Sequence, residues 1–430
     1  MKIGKIRINM IEDKSYADKE NAYANIGESI QAVVMAYIYQ TLGIDKENIV
    51  KIDQCGLKGY DGPKVVFPLR LPLSKSTVDS YLPLPDHIKP IFISLHLHDD
   101  IFEDREDLVE YFSGYAPIGC RDEQSCSYFR KHGIEAYIMG CYTLCLPRRT
   151  SAPRKNKVFL VDVSDELLST IPQNILADSE KITHAVPFES YPVTHEEDER
   201  LERVAEHYLK RYREEAALVI TSRLHAAAPC MAMGIPVILA SNNIDFRYGW
   251  IDKFLPLYQL SDYSKIDWNP TAADTSEVRQ IWLDFMKESL KQGSPAREKL
   301  ILLDEIYRNR VKTQYYKCFR ERLQLLYDKY NKEDEFRYAI WGAGFHAIFA
   351  WELMQEMFPN AILAAVVDKY KTGKIFGVSI IKENQLDDYH VRHVCITTNP
   401  GKAEALRKCK TLFGADYQNC YTILASQQKS

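Results

Sequence analysis

Residues 218–236 read LVITSRLHAAAPCMAMGIP. The apolar run Leu218-Val219-Ile220 ends in Thr221-Ser222. Arg223, Leu224 and His225 follow, with a helical pattern behind them. Gly234 and Pro236 stop that helix, and Val237-Ile238-Leu239-Ala240 opens a second apolar run. The order is strand, turn, helix, strand. It puts a guanidinium and an imidazole at the carboxyl end of a buried strand, beside a helix N-terminus. Open α/β sheets bind ligands at that edge, and helix N-termini favour anions. A phosphate or carboxylate is the expected guest.

The pattern repeats on both sides of this stretch. Apolar runs at 3–8, 49–52, 64–67, 91–97, 117–119 and 136–139 read as strands. Between the first two, Ile30, Val33, Val34, Tyr37, Ile38 and Leu42 recur at helical spacing, and Gly43 ends that helix. Alternating strands and helices predict a mostly parallel sheet. A basic, proline-containing run (Pro147-Arg148-Arg149 to Arg154-Lys155-Asn156-Lys157) reads as an interdomain linker. After it come a strand at 158–163, a charged helix at 196–215, strands at 218–221 and 237–241, and helices at 276–291 and about 295–330. The charged run 331–335 precedes Tyr338-Ala339-Ile340-Trp341-Gly342-Ala343-Gly344-Phe345-His346-Ala347. That is strand, G-x-G-x-x-A and helix, with a second strand at 362–367 ending on Asp368: a half-Rossmann βαβ unit. We therefore expect three α/β domains, at 1–150, 151–330 and 335–430.

Composition bounds the chemistry. The 430 residues are 46% hydrophobic and 27% charged, with net charge −4, so no global basic field invites nucleic acid. No window approaches the roughly 18 consecutive apolar residues of a membrane span. The N-terminus opens on a strand-like KIGKIRI rather than a signal-peptide apolar region. The ten cysteines form no C-x-x-C pair. Reduced thiols in the cytoplasm and no zinc site are the expectation.

Three segments, in order, resemble the polysaccharide pyruvyl transferase family. They are Asn25-Ile26-Gly27-Glu28-Ser29-Ile30-Gln31, then Gly119-Cys120-Arg121-Asp122-Glu123 with its following helix, then Ser222-Arg223-Leu224-His225 closed by Gly234-Ile235-Pro236. The resemblance covers roughly residues 1–325. It implies a GT-B-like pair of doubly wound Rossmann-type domains, acceptor side first and donor side second; the small C-terminal Rossmann-like domain is an addition. It also implies phosphoenolpyruvate as donor, a sugar or lipid-linked oligosaccharide as acceptor, and no required cofactor.

Pyruvyl transfer makes definite demands. The donor's C3 must gain a proton, making C2 electrophilic. Two sugar hydroxyls then replace phosphate in a cyclic ketal. Such a site needs cations for about three negative charges, a proton donor and a base. Arg223 suits the anions because its planar fork matches carboxylate and phosphate, and His225 suits proton transfer. Glu28 is a candidate base toward an acceptor hydroxyl. Many relatives carry aspartate there. Arg121, at another strand's carboxyl end, is a second anion ligand unless Asp122 or Glu123 pairs with it. Asn25 is a plausible helix cap, Gly27 lets backbone approach a ligand, and Gln31 lies one turn further.

Other candidates are weaker. His96 and His98, followed by Asp99 and Asp100, share a strand face; a sugar-contacting loop is the favoured reading over a metal site. Asn243, Arg247 and Tyr248 follow the strand after the S-R-L-H helix and sit at the donor edge. Gly342, Gly344 and Asp368 are the nucleotide contacts if the C-terminal domain binds a dinucleotide, but a degenerate or partner-docking unit is preferred. Competing functions are a GT-B glycosyltransferase using a nucleotide sugar and a non-catalytic member of a polysaccharide assembly complex. Peripheral docking at the inner membrane face through the basic linker is compatible with a lipid-linked acceptor. The acceptor sugar and the oligomeric state are not legible.

Overall fold

The computed structural model describes residues 1–9, 23–242, 245–311, 323, 335–398, 402–413 and 420–422. The chain divides into two compact units, 1–307 and 308–430.

The first unit holds two parallel sheets. One has the strand order Ile49–Asp53, Lys2–Arg7, Val65–Leu69, Ile88–Phe92. The other runs Ser179–Ile182, Lys157–Val161, Ala216–Thr221, Val237–Ala240, Leu257–Tyr258. Val65–Leu69 and Val237–Ala240 are buried at every position, which is why they read as unbroken apolar runs: both faces of a parallel sheet are covered. The helix Ile26–Thr41 buries Ile26, Ile30, Val34 and Ile38, four residues apart along one face. The helix His195–Glu215 starts at Thr194, whose hydroxyl accepts from the Glu197 amide, and carries Glu196, Glu197 and Asp198 in its first turn, where the macrodipole favours acids.

A short antiparallel ladder ties the two sheets together. Tyr23–Asn25 pairs with Ala185–Pro187, and the Ile26 amide donates to the His184 carbonyl at 2.9 Å. The first helix thus begins on backbone belonging to the second half of the unit.

Three boundaries differ from the sequence reading. The run 91–97 is not one strand: Ser94 has φ 47°, and the chain breaks into Ile88–Phe92 and His96–Leu97. The strand read at 158–163 stops at Val161, because Asp162 turns the chain at φ 47°. The helix read to about 330 is described over Arg297–Val311; most of its continuation lies outside the described residues.

In the second unit, a six-stranded sheet follows the order 374–375, 378–381, 362–367, 337–341, 393–396, 420–422. All pairs are parallel except the first. Its helix Phe345–Met357 follows Gly342, at φ 106°, and is capped by Gly344. Both units are Rossmann-like α/β structures. No helix of the described residues is long and apolar enough to cross a membrane.

Candidate functional site

The carboxyl ends of several strands of the first unit converge on one cavity of about 440 Å³. Arg70 follows Val65–Leu69, Arg121 follows Ile118–Cys120, Asp162 follows Lys157–Val161, and Arg223 follows Ala216–Thr221. A chain leaving a strand here turns at the sheet edge, so its first polar residue faces the cavity.

On the side of the first sheet, Glu28 is the hub. Its Oε2 accepts from Arg70 Nη1 at 2.7 Å and from Gln31 Nε2 at 3.1 Å, and its Oε1 lies 3.8 Å from His225 Nδ1. Gln31 Nε2 also meets His225 Nε2 at 3.1 Å. An amide nitrogen only donates, so His225 Nε2 is the acceptor and the neutral ring carries its proton on Nδ1, toward Glu28. Burial, then Arg70 and Arg121, drive the His225 pKa down to about 3 despite Glu28. Burial works against the Glu28 carboxylate too, but Arg70, His225 and Arg121 together hold it below the ordinary carboxylate value.

Arg121 is buried and lies 4.0 Å from Asp122. Among the described residues, the Nε atoms of both Arg70 and Arg121 are buried without a hydrogen-bond partner. Two guanidiniums with spare donors beside one cavity are chemically suited to an anion. Arg223 sits further out, 41% exposed in its side chain, with Nε donating to Asp162 Oδ2 at 2.9 Å. Burial opposes ionisation of Asp162, but the His184 amide, Thr183 and Arg223 outweigh it and lower its pKa.

His96 Nδ1 donates to Asp122 Oδ2 at 2.6 Å, and Asp122 caps the helix Glu123–Lys131 by accepting from the Ser125 amide. The His96 ring stacks on Phe246 (centroids 5.2 Å, 16° between planes) and meets His98 edge-on at 4.7 Å. Among the described residues no group of three or more His, Cys, Asp or Glu side chains is placed to hold a metal ion.

The cavity therefore gathers Asn25, Glu28, His96, His98, Arg121, Arg223, His225, Arg247 and Tyr248, all singled out in the sequence. Asn25 caps the first helix by accepting from the Gly27 amide at 3.2 Å. Gly27 has another role than the expected one: a Cβ there would stand 2.6 Å from His225 Cβ, so the glycine admits the histidine rather than a ligand. Gln31 contacts His225 behind the cavity wall. Arg247 is clamped by Asp245, and the Tyr248 hydroxyl donates to the Ser222 carbonyl. Asn243 lies outside the described residues. The sequence reading missed Arg70 and Asp162. Arg70 had the signal that flagged Arg121, a charge directly after a buried strand, whereas Asp162 was read as lying inside its strand.

Elsewhere, the basic run is largely paired. Arg154 faces Glu214, Lys155 faces Glu215, Lys157 faces Glu180, and Arg149 donates to the Ala216 carbonyl. In the second unit, Asp368 accepts from the amides of Ala343, Tyr370 and Lys371 at 2.8–2.9 Å. Those bonds tie down the Gly342-Ala343-Gly344 turn and occupy the carboxylate.

A solved structure of a functionally uncharacterized protein from Klebsiella pneumoniae is 12% identical, over 58% of this chain and 86% of that one. Its TM-score of 0.32 makes the likeness too loose to carry an argument. No curated protein matches. The family model for polysaccharide pyruvyl transferase matches residues 84–243, a span that includes His96, Arg121, Asp162, Arg223 and His225. That span carries about half the wall of the cavity, and over it the chain matches the polysaccharide pyruvyl transferase family.

Proposed function

We propose that this protein transfers pyruvate from phosphoenolpyruvate to two hydroxyls of a sugar, closing a cyclic ketal on a surface polysaccharide or its lipid-linked precursor. The observation that supports this most is the pair of buried guanidiniums, Arg70 and Arg121, with unpartnered Nε donors beside a cavity rimmed by Arg223. Phosphoenolpyruvate carries a carboxylate and a phosphate on one small frame, and three separated cations suit it.

In this reading the reaction balances without a cofactor. The C2–C3 π electrons take a proton at C3, and C2 becomes electrophilic. One sugar oxygen bonds to C2 and loses its proton. The second oxygen displaces phosphate, which leaves with the C–O electron pair and the remaining proton. Arg70, Arg121 and Arg223 hold the anions and stabilise the leaving charge. His225 is the proton carrier to C3. Burial and the charges of Arg70 and Arg121 favour its neutral form, and the donor's negative charges offset those cations. Glu28 orients Arg70 and stabilises the His225 cation once it forms.

Calorimetric titration of phosphoenolpyruvate into wild type, Arg223→Ala and Arg70→Met tests the assignment, with UDP-glucose and GDP-mannose as competitors. Saturable binding weakened at least tenfold by either change supports it. A nucleotide sugar that binds while phosphoenolpyruvate does not would replace it with a glycosyltransferase.

A further inference from the structure

Resting on the reading of this cavity as a group-transfer site, we propose that His96, oriented by Asp122, is the base that removes the acceptor hydroxyl's proton. In that reading His225 is already given to the C3 proton, so the acceptor hydroxyl needs a second group. His96 is different. Its Nδ1 proton goes to Asp122, and its Nε2 has no partner among the described residues although the residue is only 2% exposed and lines the cavity.

The ring is fixed from several sides. Asp122 Oδ1 accepts both the amide and the hydroxyl of Ser125, at 2.9 and 2.8 Å, which leaves Oδ2 for His96. A carboxylate in that setting only accepts, so Nδ1 is the donor and Nε2 keeps its lone pair. Phe246 covers one face of the ring, and His98 meets it edge-on. An unpartnered, buried, immobilised lone pair calls for an explanation, and a substrate O–H supplies one. The step is simple: the hydroxyl proton moves to Nε2 as the sugar oxygen bonds to C2, and Asp122 stabilises the imidazolium. Asp122 acts through His96 and is a positioning residue.

The tautomer is the first test and needs no acceptor. In the full chain labelled with ¹⁵N-histidine, His96 should carry its proton on Nδ1 at neutral pH. Asp122→Asn keeps the helix cap, since asparagine caps as well as aspartate, but it turns an amide N–H toward Nδ1 and should move the proton to Nε2. A wild-type Nε2–H form, or no change in Asp122→Asn, overturns the proposal. The second test is phosphate release from phosphoenolpyruvate with p-nitrophenyl β-D-galactoside, glucoside and mannoside. His96→Gln should lower kcat by about 100-fold or more while acceptor KM and phosphoenolpyruvate binding stay within about threefold. Added imidazole should restore part of the turnover of His96→Gly. Undiminished kcat in His96→Gln overturns the assignment. Loss of phosphoenolpyruvate binding in wild type would instead remove the donor reading and leave the tautomer result standing.

Discussion

Gly27 and His225 meet backbone to side chain across the two sheets of the first unit, with room for a hydrogen and nothing larger. A Cβ at Gly27 would lie 2.6 Å from His225 Cβ and 2.7 Å from Nδ1. In an exposed helix, Gly→Ala stabilises by about 1 kcal/mol. Here the clash outweighs that gain, since overpacking costs about 1–3 kcal/mol. Gly27→Ala should lower the melting temperature and cut turnover at least tenfold by displacing the imidazole from Gln31 and Glu28. An alanine variant with unchanged turnover would show that His225 has freedom to move.

Arg70 and Arg223 should separate binding from stability. Arg70 is buried and holds Glu28, so Arg70→Met strands a largely buried carboxylate. That should cost about 1–3 kcal/mol of folding free energy, less than a fully buried pair because Glu28 keeps some water contact, and donor affinity should fall as well. Arg223 is 41% exposed, so Arg223→Ala should weaken donor binding with stability within about 0.5 kcal/mol of wild type. Urea midpoints beside calorimetric affinities decide this. Equal stability losses in both variants would contradict it.

Three histidines whose pKa values desolvation lowers make the fold acid-sensitive. Burial lowers His225 to about 3, and His96 and His184 to about 4 each. In the unfolded chain each titrates near 6.5. Between about pH 6.5 and 4, the unfolded state therefore binds protons that the native state refuses. Stability rises with pH across that window and is lost on acidification, by up to about 1.4 kcal/mol per pH unit for each histidine. The urea midpoint should drop clearly between pH 7 and pH 5, and less so in His225→Gln. A midpoint independent of pH in that range would show the rings are better solvated than their burial implies.

Donor binding should carry a proton signature from the same cause. On the proposed reading, the donor's anions would offset Arg70 and Arg121 and raise the His225 pKa. Titrations in two buffers of different ionisation enthalpy should show proton uptake in wild type that diminishes in His225→Gln. Identical proton balances in both proteins would remove His225 as the proton carrier.

In the second unit, the Asp368 carboxylate already accepts three backbone amides, so a ribose hydroxyl would have to displace them. NADH fluorescence titration of the full chain should show no saturable binding, while Asp368→Ala should lower thermal stability. Saturable NADH binding would mean the turn rearranges around a ligand.

The parallel-sheet architecture and much of the cavity were legible because one rule located them: in a parallel α/β fold, the residue after a buried strand faces the ligand edge. That rule found Arg121 and Arg223. Applied with equal care to Val65–Leu69, it also reaches Arg70. The pairing of His96 with Asp122 was out of reach, because 26 positions separate them and only the turn at Ser94 and the helix cap bring them together. Gly27 was read as space for a ligand because sequence shows that a side chain is absent, not which neighbour needs the room. Asp162 escaped because its strand appeared to continue to Val163; the positive φ that ends it leaves no apolar signature.

The ladder between Tyr23–Asn25 and Ala185–Pro187 bears on how such proteins can be recombined. The helix bearing Glu28 and Gln31 belongs by sequence to the first half, but its starting point is set by the second. A chimera spliced in the 147–157 run would inherit Glu28 from one parent and the ladder strand that aims it from the other. Exchange of acceptor specificity between relatives should therefore succeed only when residues 23–31 travel with 185–187, so the unit of inheritance here cuts across the chain's linear order.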